Sequence, residues 1–239
     1  MFEGLDPAVL AIWYVAFLFS TTAHEAAHAL VARWGGDDTA LRAGQVTLNP
    51  APHIAREPFG MVLVPLLAFA SAGWMIGWAS APYDPVWAER HPRRAAAMAA
   101  AGPAANFLIV ISAVIGLRIL VMSGVCIVPE GELALDRLVV AAAPESIWLW
   151  VGRFLSVLAS LNLLLGVFNL FPLPPLDGAA VVEGLGTSRI RAAMAGFRAM
   201  PGAGLFGLLA AWMIFPKIYF KLFLLLVLIV HPGTDFEVF

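Results

Sequence analysis

The chain has 239 residues, of which 61% are apolar and only 13% charged, and its mean hydropathy is +0.87. That charged share is about half of what a soluble domain carries, which argues against a water-soluble globule and for one membrane domain with no separate soluble domain. A net charge of −2 without a basic stripe argues against a nucleic-acid partner. The single cysteine, Cys126, excludes an intrachain disulfide and a cysteine metal cluster.

Five apolar stretches run along the chain, each with the roughly 20 residues that a bilayer crossing needs. The first covers about 7–34. Glu3 and Asp6 stand before it, where a signal peptide wants positive charge, and it contains His24, Glu25 and His28, so it is expected to stay in the working protein. The segment 41–50, L-R-A-G-Q-V-T-L-N-P, predicts a small strand or hairpin near Val46, ending in the turn signal Asn49–Pro50. The second stretch, about 59–80, carries Pro65, Gly73 and Gly77, the marks of a broken or re-entrant segment. The third covers about 95–122 and the fourth about 147–171. The last, about 202–230, holds Pro216 and reads as one kinked helix or two shorter ones. The expected fold is an all-α membrane protein: a polytopic helix bundle with a small β element and a re-entrant segment. It forms a single domain over 1–239, with a core at about 7–180 and a C-terminal membrane segment at about 202–231.

Chemistry concentrates first in His24-Glu25-Ala26-Ala27-His28. Residues i and i+4 share one helix face, so two imidazoles can hold one metal ion with the glutamate beside them as base. The setting sharpens the reading, because ionisable side chains inside an apolar membrane helix cost a few kcal/mol (~2.5–3.5 at the centre) and need a partner. Catalytic zinc takes three protein ligands and keeps one position open, so one more is required. Most of the sixteen carboxylates lie in polar loops, among them Asp37, Asp38, Asp84, Glu89, Glu130, Glu132 and Asp136. Asp177 instead ends F-N-L-F-P-L-P-P-L-D before Gly178. Prolines 172, 174 and 175 stop the preceding helix, and Gly178 is expected to permit a turn directly after the aspartate. Alone, Asp177 reads equally as a helix cap; paired with the histidines it reads as the third ligand.

Three motifs, H-E-A-A-H at 24–28, A-G-P-A-A-N at 101–106 and N-L-F-P-L-P-P-L-D-G at 169–178, resemble those of the site-2 protease family of intramembrane zinc metalloproteases. The resemblance covers roughly 11–178. G-Q-V-T-L-N-P-A-P-H at 44–53 is similar to the compact subgroup without PDZ or CBS domains. The loop 123–146 is too short for an inserted PDZ domain, and no regulatory domain is expected after the membrane region. The resemblance implies one zinc per chain held by His24, His28 and Asp177, with Glu25 as base and Asn169 as a donor to the developing oxyanion. Ala179 departs from the second glycine that many members carry after the aspartate.

Several polar residues keep two readings. Asn169 is an oxyanion donor or a cap near a proline break. Asn106 either bonds near the site or bridges helices, and the second is favoured because polar side chains commonly link membrane helices. His53 reads as a loop histidine or an orienting group in preference to a fourth ligand, since the usual set is already filled. His91 and His231 read as interfacial, and the eight Trp suit interface anchoring.

The ligands must meet at one depth. The first and fourth stretches therefore run in the same direction, and one of the two between them does not span; the second is chosen. Arg42, Arg56, Arg90, Arg93, Arg94, Arg189, Arg191 and Arg198 then share one side, the cytoplasm. The loop 123–146, with Arg137 against Glu130, Glu132, Asp136 and Glu145, falls on the other. The expected setting is a bacterial inner membrane, with the site toward the cytoplasm. The expected substrates are single-span membrane proteins, locally unwound, which pair with the chain near 173–176 or Val46. The rival reading is a non-catalytic membrane metal-binding scaffold or metal carrier, against which Glu25 speaks, since carriage needs no base. A prenyl-type membrane protease would use other ligand spacings and leaves L-D-G unexplained.

Overall fold

A computed structural model describes residues 6–129 and 133–234, so Glu3, Glu130 and Glu132 lie outside the described residues. Among the described residues, four helices are long and apolar enough to cross a membrane: α1 (Pro7–Trp34), α6 (Pro92–Met122), α7 (Trp148–Asn169) and α10 (Ala203–Val230). At 1.5 Å per residue the shortest of them, the 22-residue α7, is about 33 Å long, enough for a hydrocarbon core of about 30 Å. Short helices lie between them: α2 (Thr39–Arg42), α3 (Ala51–Arg56), α4 (Val64–Ala72), α5 (Pro85–Arg90), α8 (Asp177–Leu185) and α9 (Ser188–Arg198).

Local chemistry sets the ends of α1. Asp6 caps it by accepting from the Ala8 N–H at 2.8 Å, and Pro7 occupies the first turn. At the far end the Gly35 carbonyl accepts from Trp87 Nε1 at 3.0 Å and Arg94 at 3.1 Å. These bonds tie the end of α1 to α5 and to the start of α6.

The second apolar stretch does not cross. A π-helical turn, Phe59–Leu63, runs into α4, and together they form one apolar helix, Phe59–Ala72, well short of a span. Gly73, at φ +76°, ends it with a left-handed residue. The chain then returns to where it started. Trp78 N–H donates to the Gly60 carbonyl at 3.2 Å. Ser80 Oγ donates to Glu57 at 2.5 Å and accepts from Arg56 Nε at 3.0 Å. Gly77 makes the closure possible, because a Cβ there would sit 2.2 Å from the Gly60 carbonyl oxygen. The segment is thus re-entrant, and Trp74 at its inner end stacks on Trp212 of α10, with ring centroids 6.3 Å apart.

One expectation is corrected. No strand forms near Val46. Thr47 Oγ1 accepts from Asn49 N–H and Asn49 Oδ1 accepts from Ala51 N–H, so local side-chain bonds take the donors a ladder would use. The small antiparallel sheet lies instead between α6 and α7, pairing β1 (Cys126–Ile127) with β2 (Val140–Ala141). His231, just past the end of α10, is buried, and its Nε2 lies 2.7 Å from the Leu138 carbonyl. The choice left open for the last stretch resolves to one continuous helix containing Pro216.

The most buried of the four long helices is α7. Gly152, Ser156, Ala159, Ser160, Asn162 and Gly166 give it small or polar faces on which neighbours can settle closely. Trp13 and Phe17 of α1, Leu117 of α6 and Val227 of α10 join Val157 and Leu161 of α7 in one apolar core.

Candidate metal centre

His24, Glu25 and His28 lie on the second half of α1, all buried, with one ligand atom from each within 4.8 Å of the others. The loop after α7 brings in Asp177. Its Oδ2 lies 3.1 Å from His24 Nε2 and 3.3 Å from His28 Nε2. Glu25 makes no hydrogen bond among the described residues, so its carboxylate keeps its acceptor capacity.

Asp177 is the first residue of α8, but its side chain makes no cap there. The carboxylate turns to the histidines instead. Burial pushes its pKa up, and the neighbouring His28 and His24 more than reverse that, holding Asp177 well below the usual carboxylate range. Gly178 has a role other than the expected one. It lies inside α8 without positive φ. A Cβ there would meet the Leu170 carbonyl oxygen at 2.2 Å and that of Phe171 at 2.5 Å. Its missing side chain lets α8 seat against the end of α7. Gly184 does the same against the Pro92 carbonyl of α6. Ala179 is buried beside Asp177 and continues the helix, so the departure at this position falls on an ordinary helical residue.

The donor set fits zinc. Ligands held at about 2.0–2.1 Å around a tetrahedral ion stand about 3.3 Å from one another, and Asp177 Oδ2 stands at that separation from both Nε2 atoms. Space is kept for the group by Gly102 of α6, where a Cβ would lie 2.4 Å from His28 Nε2 and 2.5 Å from His24 Nε2. Both imidazoles are held from behind. His28 Nδ1 lies 2.7 Å from the Met98 carbonyl, and His24 Nδ1 lies 2.6 Å from Asn106 Oδ1. Such outer contacts orient a metal-binding histidine.

Asn106 therefore does both things considered for it: it bonds a site histidine and bridges helices, since its Nδ2 donates to Asn162 Oδ1 of α7 at 2.8 Å. Asn162 was not among the residues singled out from the sequence. Its signal was available, as a lone amide inside the apolar run 161–165 of a membrane helix. His53 is buried, with Nε2 3.2 Å from the Thr47 carbonyl, and is not in the ligand cluster. Asn169 ends α7, and its Nδ2 donates to the Leu165 carbonyl at 3.0 Å. A cavity of about 520 Å³ is lined in part by Met98, Pro174, Leu176 and Ala179, residues next to the cluster in the chain or bonded to it, though by none of the cluster itself.

Four membrane-length helices, with buried His24, Glu25 and His28 facing a half-buried Asp177, define an integral-membrane protein with a metallopeptidase-type site. The chain matches the model of Peptidase family M50 over residues 12–201. It is 36% identical over 185 residues to "Putative zinc metalloprotease YwhC" of Bacillus subtilis (strain 168), covering 75% of this chain and 71% of that one. No solved structure matches it. The chain belongs to peptidase family M50, the site-2 protease family, and is a metalloprotease.

Proposed function

We propose that this metalloprotease hydrolyses peptide bonds of single-span membrane proteins within the bilayer, using one zinc per chain on His24, His28 and Asp177 and Glu25 as its base. The observation that carries the reading is depth. His24 and His28 stand ten and six residues before the end of a spanning helix, which is about 15 and 9 Å inside it at 1.5 Å per residue. A site there meets peptide bonds that lie in the membrane.

What zinc supplies when held there is Lewis acidity, which acidifies water and polarises a carbonyl. The remaining work falls to side chains. Glu25, buried and without a hydrogen-bond partner among the described residues, takes a proton from the attacking water and passes it to the leaving amine. Asn169 spends one amide proton on Leu165 and offers the other to the developing oxyanion. The cavity beside Asp177, walled by Pro174 and Leu176, receives the unwound segment of substrate.

Charge supports the orientation. Arg42, Arg56, Arg90, Arg93 and Arg94 follow α1 or precede α6, and Arg189, Arg191 and Arg198 lie on α9. All are at the end of the bundle nearer the site. By the positive-inside rule that end is cytoplasmic, in a bacterial inner membrane.

The test is Glu25→Gln with a single-span model substrate. Zinc is retained, and cleavage falls about 100- to 10,000-fold, the usual worth of a general base. Undiminished cleavage refutes the role of Glu25. A wild type that binds zinc and cuts no membrane-spanning substrate supports the scaffold instead.

A further inference from the structure

The two histidines present Nε2 to Asp177 but are held from behind by unlike groups. His28 Nδ1 faces the Met98 carbonyl, which can only accept, so that nitrogen carries the proton. His24 Nδ1 faces an amide, and an amide can turn either its oxygen or its NH₂ toward a ring. What prevents the turn lies farther out. Asn162 Nδ2 is 2.9 Å from the Leu158 carbonyl and 2.8 Å from Ser20 Oγ, and the Ser20 hydroxyl donates to the Ala16 carbonyl at 2.6 Å. The two carbonyls that end this chain are pure acceptors. Both Asn162 protons are therefore committed, and its oxygen is left facing Asn106. Asn106 must give its N–H there and its oxygen to His24. Ser20, Asn106 and Asn162 are fully buried, each at 0% exposure, so solvent water does not substitute for any link.

We infer that Ser20, Asn162 and Asn106 form a polarity relay across α1, α7 and α6 that fixes His24 as the Nδ1–H tautomer and so keeps its Nε2 lone pair free for the metal. The inference rests on the ligand assignment made above. Asn162 and Ser20 act through Asn106 and are positioning residues. Without them the Asn106 amide is free to turn. Its NH₂ then faces Nδ1, the proton moves to Nε2, and that nitrogen no longer ligates.

The experiment measures zinc affinity of the purified full chain by chelator competition, with no substrate present. Asn162→Leu weakens zinc about 10- to 100-fold, the scale of losing an outer partner. Asn106→Asp alone also weakens it, because two acceptors then confront each other between positions 106 and 162. The double variant Asn162→Leu with Asn106→Asp recovers most of the affinity, since a carboxylate has only acceptor faces and cannot be turned the wrong way. Asn162→Ala removes the same amide without adding bulk and is measured in parallel, so a folding defect in one variant leaves the comparison intact. A role confined to helix packing predicts a double variant no better than either single one, and that result overturns the relay. Unaltered zinc affinity in Asn162→Leu and Asn162→Ala overturns it as well. A wild type that binds zinc but cuts no membrane-spanning peptide refutes the proteolytic reading and leaves the relay standing; a wild type that binds no zinc overturns both.

Discussion

Replacing Gly102 by Ala adds one methyl group at the place where the proposed metal and its histidines need room. The new Cβ would lie 2.4 Å from His28 Nε2, 2.5 Å from His24 Nε2 and 2.6 Å from His28 Cε1, whereas ordinary contact begins at 3.4 Å. Both rings would have to retreat by about 1 Å, and their Nδ1 atoms are tied to Met98 and Asn106. Stability falls by no more than about 2 kcal/mol, because a gain of about 0.8–1 kcal/mol in helix propensity offsets part of an overpacking cost of about 1–3 kcal/mol. Zinc ligation tolerates only about 0.2 Å of error, and a 1 Å misplacement at a reacting centre is worth about 100-fold in rate. The expected variant is folded, with a modestly lowered thermal midpoint, and has lost zinc and about 100-fold or more in kcat/KM. Chelator competition and thermal unfolding on the same preparation check it. Wild-type zinc affinity in Gly102→Ala would refute the cradle, and with it the placement of the metal between the two Nε2 atoms and Asp177.

Three further outcomes follow from other parts of the fold. Gly178→Ala drives a Cβ into two backbone carbonyls of the α7 terminus, so α8 shifts and zinc affinity falls with Asp177 out of place; unchanged affinity counts against the close seating of α8. Asp37 accepts from Thr39 N–H at 2.9 Å, Thr39 Oγ1 at 2.5 Å and Asp84 N–H at 2.8 Å, so Asp37→Ala costs about 1 kcal/mol by leaving half-buried donors without their acceptor. Burial pushes the Asp37 pKa up, but these bonds and Arg42 hold it below the ordinary value. Its contribution is thus whole above the unfolded value of about 3.9 and is lost as pH falls through the folded one. Thermal unfolding from pH 6 down to pH 3 is accordingly flatter in Asp37→Asn than in wild type. Cysteines placed singly at Arg56 and Ser80 label from the same face of the membrane, since these residues are hydrogen-bonded; labelling from opposite faces would make the segment between them a span.

Much of this arrangement was readable because its signals are local or strongly patterned. The H-E-A-A-H spacing puts two imidazoles on one helix face whatever surrounds them, and an aspartate behind three prolines stands out from the loop carboxylates. The spans follow from hydropathy, and the failure of 59–80 to cross follows from its glycines and proline. What escaped was set by partners distant in sequence. A two-residue strand at Cys126–Ile127 leaves almost no pattern, while Thr47 and Asn49 turned a strand-like run into turns. Gly178 reads as a turn because the sequence does not show which neighbour comes close, whereas backbone packing against Leu170 and Phe171 is what requires the glycine. Asn162 resembles any membrane asparagine bonded to its own helix, and one of its three bonds is of that kind; the others join Ser20, 142 positions away, and Asn106, 56 positions away.

The chain order of the metal centre sets the order in which it can be built. His24 and Asp177 are 153 positions apart, so at about 5–20 residues per second a ribosome needs roughly 8 to 30 s to travel from one to the other. Met98 and Asn106 emerge in that interval, before the proposed third ligand does. The groups that aim the histidines are thus in the membrane first, and the residue that closes the set comes last. If the proposed ligand set holds, a nascent chain has both histidines aimed only once α7 has brought in Asn162, and it stays inert as a peptidase until the loop behind α7 has brought in Asp177.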